Sequence, residues 1–134
     1  MPSIFTRIIQ GEIPAYKVAE NENFIAILDV YPLVEGHVLV IPKKETDNIF
    51  DLEPEKLQQL FGFSQTIAKA IEASYECKKV GMAVIGLEVP HAHIHLLPIN
   101  DAADINFTKN KLQLTAAQLT EIQDKLRLAL KVSL

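Results

Sequence analysis

Histidines occupy every second position of one short segment, His91-Ala-His93-Ile-His95. If this segment is a strand, its side chains alternate between the two faces of a sheet. The three imidazoles then point to one side, and the apolar residues between them point to the core. Imidazole changes its charge state near neutral pH, which suits it to proton transfer, metal binding or nucleophilic attack. The imidazole side of the strand is therefore expected to line either solvent or a functional pocket.

The spacing of the three histidines is compatible with three interpretations. The first is a polar strand face without chemical function. The second is a metal site, but alternate residues lie about 6.6 Å apart along a strand, and zinc ligands lie about 2 Å from the ion. Two neighbouring histidines could share one ion, whereas all three could not without breaking the strand. The third is an extended polyanion site, in which imidazoles contact phosphate oxygens and one of them attacks phosphorus.

The elements that would position these histidines follow from hydrophobic periodicity and turn residues. Ser3 is expected to cap a short helix that ends before Gly11, and a main helix is expected over residues 54–75. Thr115 and Gln118 form a capping box for a C-terminal helix. Strands are predicted over residues 16–20, 24–29, 37–41, 79–85 and 92–97. The buried stripe of the main helix is predicted to contain Leu57, Leu60, Phe61, Ile67, Ala68 and Ile71.

These elements predict an α+β fold. Strands that adjoin through short turns, with helices gathered at a few points, are typical of an antiparallel sheet. We expect a sheet of about five strands, one main helix, a short N-terminal helix and a C-terminal helix.

The composition excludes several classes of protein. The chain has 134 residues, a net charge of −4 and no block of like charges, whereas binding to long nucleic acid normally requires clustered Lys and Arg. The single cysteine, Cys77, excludes an intrachain disulfide. The longest apolar stretch, residues 80–87, is too short to span a membrane. We therefore expect one cytoplasmic domain over residues 1–134 that binds neither long nucleic acid nor a membrane.

The sequence resembles the histidine triad (HIT) family of nucleotide hydrolases and transferases, and within it the Hint-like branch, because several motifs occur in the same order along the chain as in that family. The resemblance covers a core of residues 3–98, whereas the extension over residues 99–134 contains no matching motif. The segments that carry it are Ile4-Phe-Thr-Arg-Ile-Ile-Gln-Gly-Glu-Ile-Pro14, Ala26-Ile-Leu-Asp29, Gly36-His-Val-Leu-Val-Ile-Pro-Lys-Lys44 and His91-Ala-His-Ile-His-Leu-Leu-Pro98.

The resemblance implies a role for each histidine of the triad. His93 would be the nucleophile that forms a transient nucleotidyl-histidine, His91 would orient it, and His95 would contact phosphate oxygens. Asp29 would accept hydrogen bonds from the ribose hydroxyls. His37 is expected to be a structural residue of its strand.

The resemblance also implies which residues surround the nucleotide. The residues that match the base pocket are Ile4, Phe5, Ile8, Ile27 and Leu28. Glu88 and Val89 match positions whose backbone N–H groups bind phosphate.

The predicted function is therefore hydrolysis or transfer of a purine nucleoside monophosphoryl group, from a phosphoramidate or a similar adduct. The alternatives are a dinucleoside polyphosphate hydrolase, a nucleotide-binding module with little turnover, and a mononuclear metalloenzyme. The resemblance implies a homodimer that joins two sheets, a small purine nucleotide as ligand and no cofactor.

The sequence departs from the family pattern near the triad. Many relatives bind a structural zinc ion through two cysteines and two histidines, where this chain has Ser3, Thr6, Glu45 and His91. A structural zinc is therefore not expected, and Glu45 is a candidate hydrogen-bond partner for His91. Leu87 stands where relatives have a glutamine, and the loop before the triad is shorter and lacks their asparagine.

Overall fold

Five antiparallel strands form one sheet in the computed structural model, which describes residues 1–133, without the side chains of residues 132 and 133. Along the chain the strands are β1 (Lys17–Glu20), β2 (Phe24–Leu28), β3 (Val38–Pro42), β4 (Lys79–Ala83) and β5 (Ile94–Ile99). Their spatial order is β1-β2-β3-β5-β4. The helices are α1 (Ile4–Ile9), α2 (Pro54–Ser74) and α3 (Ala116–Ser133), with short 3-10 helices at Ile49–Asp51 and Ala102–Ile105. This architecture confirms the predicted fold class.

The two faces of the sheet have different coverings. On one face, α2 and α3 bury the even-numbered residues of the central strands, such as Ala26, Val40 and Ile94. On the other face, α1 places Phe5 against odd-numbered residues, and the cluster formed there is Phe5, Ile25, Ile27, Leu39 and Ile41. The triad histidines lie on the face that α1 covers, because His95 is odd-numbered within β5 and the Phe5 ring contacts His91 and His93 just before that strand. The strand alternation therefore separates the main core from the candidate site.

Short polar motifs set the ends of several elements. The Ser3 side chain caps α1 by accepting a hydrogen bond from the Thr6 backbone N–H at 3.0 Å. Asn21 accepts from two backbone N–H groups in the turn between β1 and β2. Thr115 and Gln118 exchange side chain to backbone hydrogen bonds of 2.8 and 3.1 Å at the start of α3. These contacts confirm the predicted helix start at Ser3 and the predicted capping box.

The two edges of the sheet are not equivalent. Gln123 and Arg127 of α3 both donate to the backbone carbonyl of Lys17, which covers the β1 edge. The outer edge of β4 has no strand beside it within residues 1–133. No helix in the described part of the chain is long and apolar enough to cross a membrane.

Three predicted features differ in the structure. The strand predicted over residues 79–85 ends at Ala83. The strand predicted over residues 92–97 begins only at Ile94, because the Ala92 N–H donates to the carbonyl of Thr46, outside the sheet. Phe61, which was expected in the buried stripe of α2, is 45% exposed, whereas Ser64 is fully buried and bonds to the Leu60 carbonyl. The stripe is therefore rotated slightly from the one predicted.

Gly36 offers a test of the loop that leads from β2 into β3. Its φ is +93°, and a Cβ atom there would lie 2.8 Å from Cε2 of Tyr75. We predict that Gly36→Ala lowers the free energy of unfolding by about 1–3 kcal/mol, measured by urea denaturation. The control is Gly62→Ala within α2, where an added Cβ meets no atom within 4 Å. The free energy of unfolding of this variant should rise by about 0.5–1 kcal/mol. Equal stability of the two variants would contradict the argument.

Candidate active site

His93 occupies the centre of the site, and its tautomer is set by a backbone group. Its Nδ1 atom lies 2.8 Å from the carbonyl oxygen of His91. Because a carbonyl can only accept, Nδ1 carries the proton in the neutral ring and Nε2 keeps a free lone pair. Burial lowers the pKa of His93 below its usual value. The ring is therefore neutral at neutral pH, with its second nitrogen available as a nucleophile.

His91 is fully buried, and both of its ring nitrogens make hydrogen bonds. Nε2 lies 2.7 Å from the carbonyl oxygen of Pro42, at the end of β3. Nδ1 lies 2.6 Å from the Ser3 hydroxyl, at the start of α1. Since the Pro42 carbonyl requires the proton on Nε2, Nδ1 accepts from the Ser3 hydroxyl. His91 therefore joins the sheet to the N-terminal helix, and its carbonyl is fixed at the position that His93 needs.

His95 and His37 form a second hydrogen-bonded series. The Leu33 backbone N–H donates to Nδ1 of His37 at 3.1 Å, so the proton of His37 is on Nε2. That Nε2 atom lies 2.9 Å from Nδ1 of His95 and donates to it. A neutral His95 then carries its proton on Nε2, which can act as a hydrogen-bond donor. Burial lowers the pKa of His95 to about 4 and that of His37 to about 3.

Asp29 lies beside this series at the end of β2. Its Oδ1 accepts from the Tyr31 N–H at 3.0 Å, and its Oδ2 is 3.7 Å from Nε2 of His37. Burial raises the pKa of Asp29, and the backbone hydrogen bond from Tyr31 and the charge of Lys111 oppose that shift. The carboxylate has free acceptor capacity for hydroxyl donors.

The side chains of Asp29, His37 and His95 bring possible ligand atoms within 4.8 Å of one another. The hydrogen bonds argue against a metal ion at this position. A ligating Nε2 of His37 would need its proton on Nδ1, where the Leu33 N–H already donates. The three residues therefore do not fit a metal ion while these bonds are kept.

The N-terminal helix supplies an aromatic wall to the site. The Phe5 ring makes edge contacts with His93 and His91, at centroid distances of 5.0 and 5.6 Å. Ile27 is buried in the same cluster, and Ile8 packs against it.

Leu28 requires correction as a predicted pocket residue. Ile4 is 49% exposed, as a residue that lines an open pocket can be, and its place in the base pocket stays a prediction. Leu28 belongs to the core under α2 and α3, because neighbouring residues of a strand point to opposite faces. Ile27 and Leu28 could not both reach the same side of β2.

Glu88 and Val89 lie in the loop that precedes the triad. Val89 packs against the Phe5 cluster, and its carbonyl accepts from the His91 N–H at 2.8 Å. The backbone N–H groups of both residues make no hydrogen bond within the described chain. They remain available to an anion next to the triad.

Two residues of the C-terminal extension, Phe107 and Lys111, lie at the site, although no motif in the sequence predicts this. The Phe107 ring packs on His95 and His37, at centroid distances of 4.6 and 6.1 Å. The segment is held by a 2.8 Å hydrogen bond from the Leu112 N–H to the Pro32 carbonyl. Positive charge at Lys111 contributes to the lowered pKa of both His37 and His95. His37 was likewise expected to be only structural, and it directly contacts a triad histidine.

Ser3, Thr6, Glu45 and His91 do come together, although they do not form a zinc site. Glu45 Oε1 accepts from the Thr6 hydroxyl at 2.6 Å and from the Ser3 N–H at 2.7 Å. These hydrogen bonds lower the pKa of the Glu45 carboxyl to about 2, and the bond from Thr6 has the largest effect. Structural zinc is bound by thiolates and imidazoles, and two hydroxyls are poor substitutes. The four residues form a hydrogen-bonded junction in place of a metal centre.

Comparison with known proteins agrees with this geometry. A family model described as "HIT domain" matches residues 10–102. The adenosine 5′-monophosphoramidase of Saccharomyces cerevisiae is 35% identical over 99 residues, which cover 73% of this chain and 63% of the yeast protein.

Two crystal structures extend the similarity to almost the whole chain. A HIT-like protein of Bartonella henselae, involved in cell-cycle regulation, has a TM-score of 0.83 and 30% identity, and the match covers 95% of both chains. A zinc-bound histidine triad family protein of Mycobacterium smegmatis has a TM-score of 0.80 and 29% identity, over 97% of this chain and 94% of that one. The sequence match, the shared fold and the row of histidines lead to one conclusion: the chain belongs to the HIT family.

Proposed function

We propose that this protein hydrolyses or transfers the nucleoside monophosphoryl group of a purine nucleoside phosphoramidate or a similar adduct, through a covalent intermediate on Nε2 of His93. The observation that carries the proposal is the 2.8 Å contact between Nδ1 of His93 and the His91 carbonyl. It directs the free lone pair to Nε2 and holds the ring in one orientation. A buried, neutral imidazole with a fixed tautomer has the properties required of a nucleophile.

The reaction would proceed in two displacements at phosphorus. In the first, the Nε2 lone pair forms a bond to the α-phosphorus, and the bond to the leaving group breaks with its electron pair. The leaving amine takes up a proton. In the second, water attacks phosphorus and the P–Nε2 bond breaks, with its electron pair returning to Nε2. The attacking water loses its proton to solvent, and a nucleoside monophosphate is released. The His93 ring is positively charged in the intermediate, which strengthens its Nδ1–H bond to the His91 carbonyl.

The remaining residues would bind the nucleotide around this centre. Asp29 would accept from the ribose hydroxyls, and Phe5, Ile8 and Ile27 would contact the base. The Nε2–H group of His95 and the free N–H groups of the preceding loop would donate to phosphate oxygens. The similarity to a yeast adenosine 5′-monophosphoramidase supports both a phosphoramidate substrate and an adenine base.

The first prediction of the proposed function concerns turnover and its dependence on His93. Purified protein treated with a chelator should release AMP from adenosine 5′-phosphoramidate, and His93→Ala should lower kcat by about 10³-fold or more because the nucleophile is lost. Intact-mass measurement of quenched wild-type reactions should detect one added adenylyl group, which the variant lacks. Circular dichroism and AMP binding establish that the variant is folded.

Other outcomes identify the alternatives. Turnover of diadenosine tetraphosphate in preference to the phosphoramidate would indicate a dinucleoside polyphosphate hydrolase. Tight AMP binding without turnover of either substrate would indicate a nucleotide-binding module. Activity that disappears with the chelator and returns with a divalent cation would indicate a metalloenzyme and would refute the proposed mechanism.

The second prediction concerns pH. The pKa of His93 is lowered by burial, so the neutral, nucleophilic ring persists below the usual histidine pKa of about 6.5. As pH falls through the lowered pKa, Nε2 is protonated and the rate falls. In a pH profile of kcat/KM, the midpoint of the acid limb should therefore lie below 6.5. An acid limb centred above pH 7 would show that a different group controls the reaction.

We further propose that two copies of the chain associate through β4. The outer edge of β4 offers unpaired backbone groups, and Phe61 of α2 and Met82 of β4 are 45% and 43% exposed. Pairing of two β4 edges would satisfy the backbone groups and cover apolar surface in one step. The result would be a continuous sheet shared by a homodimer.

The third prediction tests this association. The double variant Phe61→Lys/Met82→Lys places like charges on the proposed interface and should shift the protein from dimer to monomer in sedimentation velocity experiments. The matched control carries Lys at Phe50 and Leu128, which are also exposed and apolar but lie off the β4 edge, and it should remain dimeric. A wild-type protein that is monomeric at high micromolar concentration would overturn the proposal.

A further inference from the structure

A hydrogen-bonded junction, formed by Ser3, Thr6, Glu45 and His91, connects the surface to the centre of the site. Glu45 Oε1 accepts from the Ser3 N–H and from the Thr6 hydroxyl, at 2.7 and 2.6 Å. The Ser3 hydroxyl contacts Nδ1 of His91 at 2.6 Å. The Glu45 side chain is 38% exposed, whereas that of His91 has no exposure. The junction therefore links an accessible carboxylate to a buried imidazole through two hydroxyl residues.

The proton positions in the junction are determined by its fixed acceptors. The Pro42 carbonyl holds the proton of His91 on Nε2, so the Ser3 hydroxyl donates to Nδ1. The Ser3 oxygen also accepts from the Thr6 N–H at 3.0 Å. The Thr6 hydroxyl donates to the carboxylate, which completes the series. Loss of the carboxylate would leave the Thr6 hydroxyl and the Ser3 N–H without their acceptor.

The junction acts on His93 at two points. His91 supplies the carbonyl that accepts from Nδ1 of His93 at 2.8 Å. Phe5, whose ring contacts His93 at 5.0 Å, lies in the chain between Ser3 and Thr6. A shift of the first turn of α1 would therefore change both the hydrogen bond and the ring contact of the nucleophile.

We propose that Glu45 is a positioning residue for His93: its carboxylate holds the first turn of α1 on His91, and through that junction it fixes the orientation and tautomer of the nucleophilic ring. The proposal rests on the function proposed for His93 above. Because the donors to Glu45 need only an oxygen acceptor, a neutral amide oxygen should serve as well as the carboxylate.

The test of this proposal compares Glu45→Ala, Glu45→Gln and a control variant in the full-length protein. Each is measured at a temperature well below its unfolding midpoint. Glu45→Ala should lower kcat for adenosine 5′-phosphoramidate by about 10–100-fold, since displacement of a supporting group commonly has effects of this size. KM should rise by a smaller factor than kcat falls, because Asp29 and the phosphate donors are untouched and Phe5 is the base contact that lies on the displaced turn. Glu45→Gln should retain most of the wild-type kcat.

The matched control is Glu12→Ala. Glu12 is also an exposed carboxylate, it pairs with Arg7 of α1 at 3.4 Å, and it makes no contact with His91. This variant removes the same charge near the same helix, so its kcat should equal that of wild type. A purely stabilising role of Glu45 would lower the unfolding temperature and leave kcat below that temperature unchanged.

A measurement independent of turnover separates failure of this inference from failure of the proposed function. Nitrogen-15 chemical shifts of the histidine rings report the tautomer of each ring directly. Wild type, Glu45→Gln and Glu12→Ala should show His93 protonated at Nδ1, and Glu45→Ala should show a mixture of tautomers. An unchanged His93 tautomer and a kcat equal to that of Glu12→Ala would overturn the proposal. If no variant turns over substrate, the tautomer of His93 in Glu45→Ala alone decides whether Glu45 positions His93.

Discussion

The hydrogen bond from Nδ1 of His93 to the His91 carbonyl is the interaction on which the rest of the site depends. It joins two residues that are adjacent in the triad, and it exists only because the chain has not yet entered β5 at this point. In a regular strand the carbonyl of one residue points along the sheet toward the neighbouring strand, away from the side chain two positions later. The Ala92 N–H bonds to Thr46 outside the sheet, and this departure brings carbonyl and imidazole together. A local irregularity at the start of the strand thus sets the tautomer of His93.

Periodicity was sufficient to predict the fold and the side of the sheet that carries the triad. The alternation at residues 91–95 placed the imidazoles on one face, and the cap at Ser3 placed α1 close to its observed position. The same rule, applied to Ile27 and Leu28, would have excluded Leu28 from the pocket.

The contacts that tune the site could not be predicted from local patterns. His37 meets His95 across 58 positions of the chain, and Ser3 meets His91 across 88. Such pairs are fixed by the packing of the whole domain, and the residue types alone do not reveal them. Phe107 lies in an extension without a recognisable motif, so the sequence contained no signal for its contact with the triad. Glu45 was predicted to be a hydrogen-bond partner of His91, but its Oε1 atom lies 4.0 Å from Nδ1. The link through Ser3 and Thr6 was not predicted.

The unequal edges of the sheet limit how copies of this chain can assemble. On the β1 side, two side chains of α3 occupy the Lys17 carbonyl, so another strand cannot be added without displacing the helix. Only β4 is left to recruit a strand from another molecule, and once it has done so no open edge remains. In the dimer proposed above, growth by strand addition would therefore end at two subunits, and the α3 contacts at Lys17 would oppose open-ended filaments.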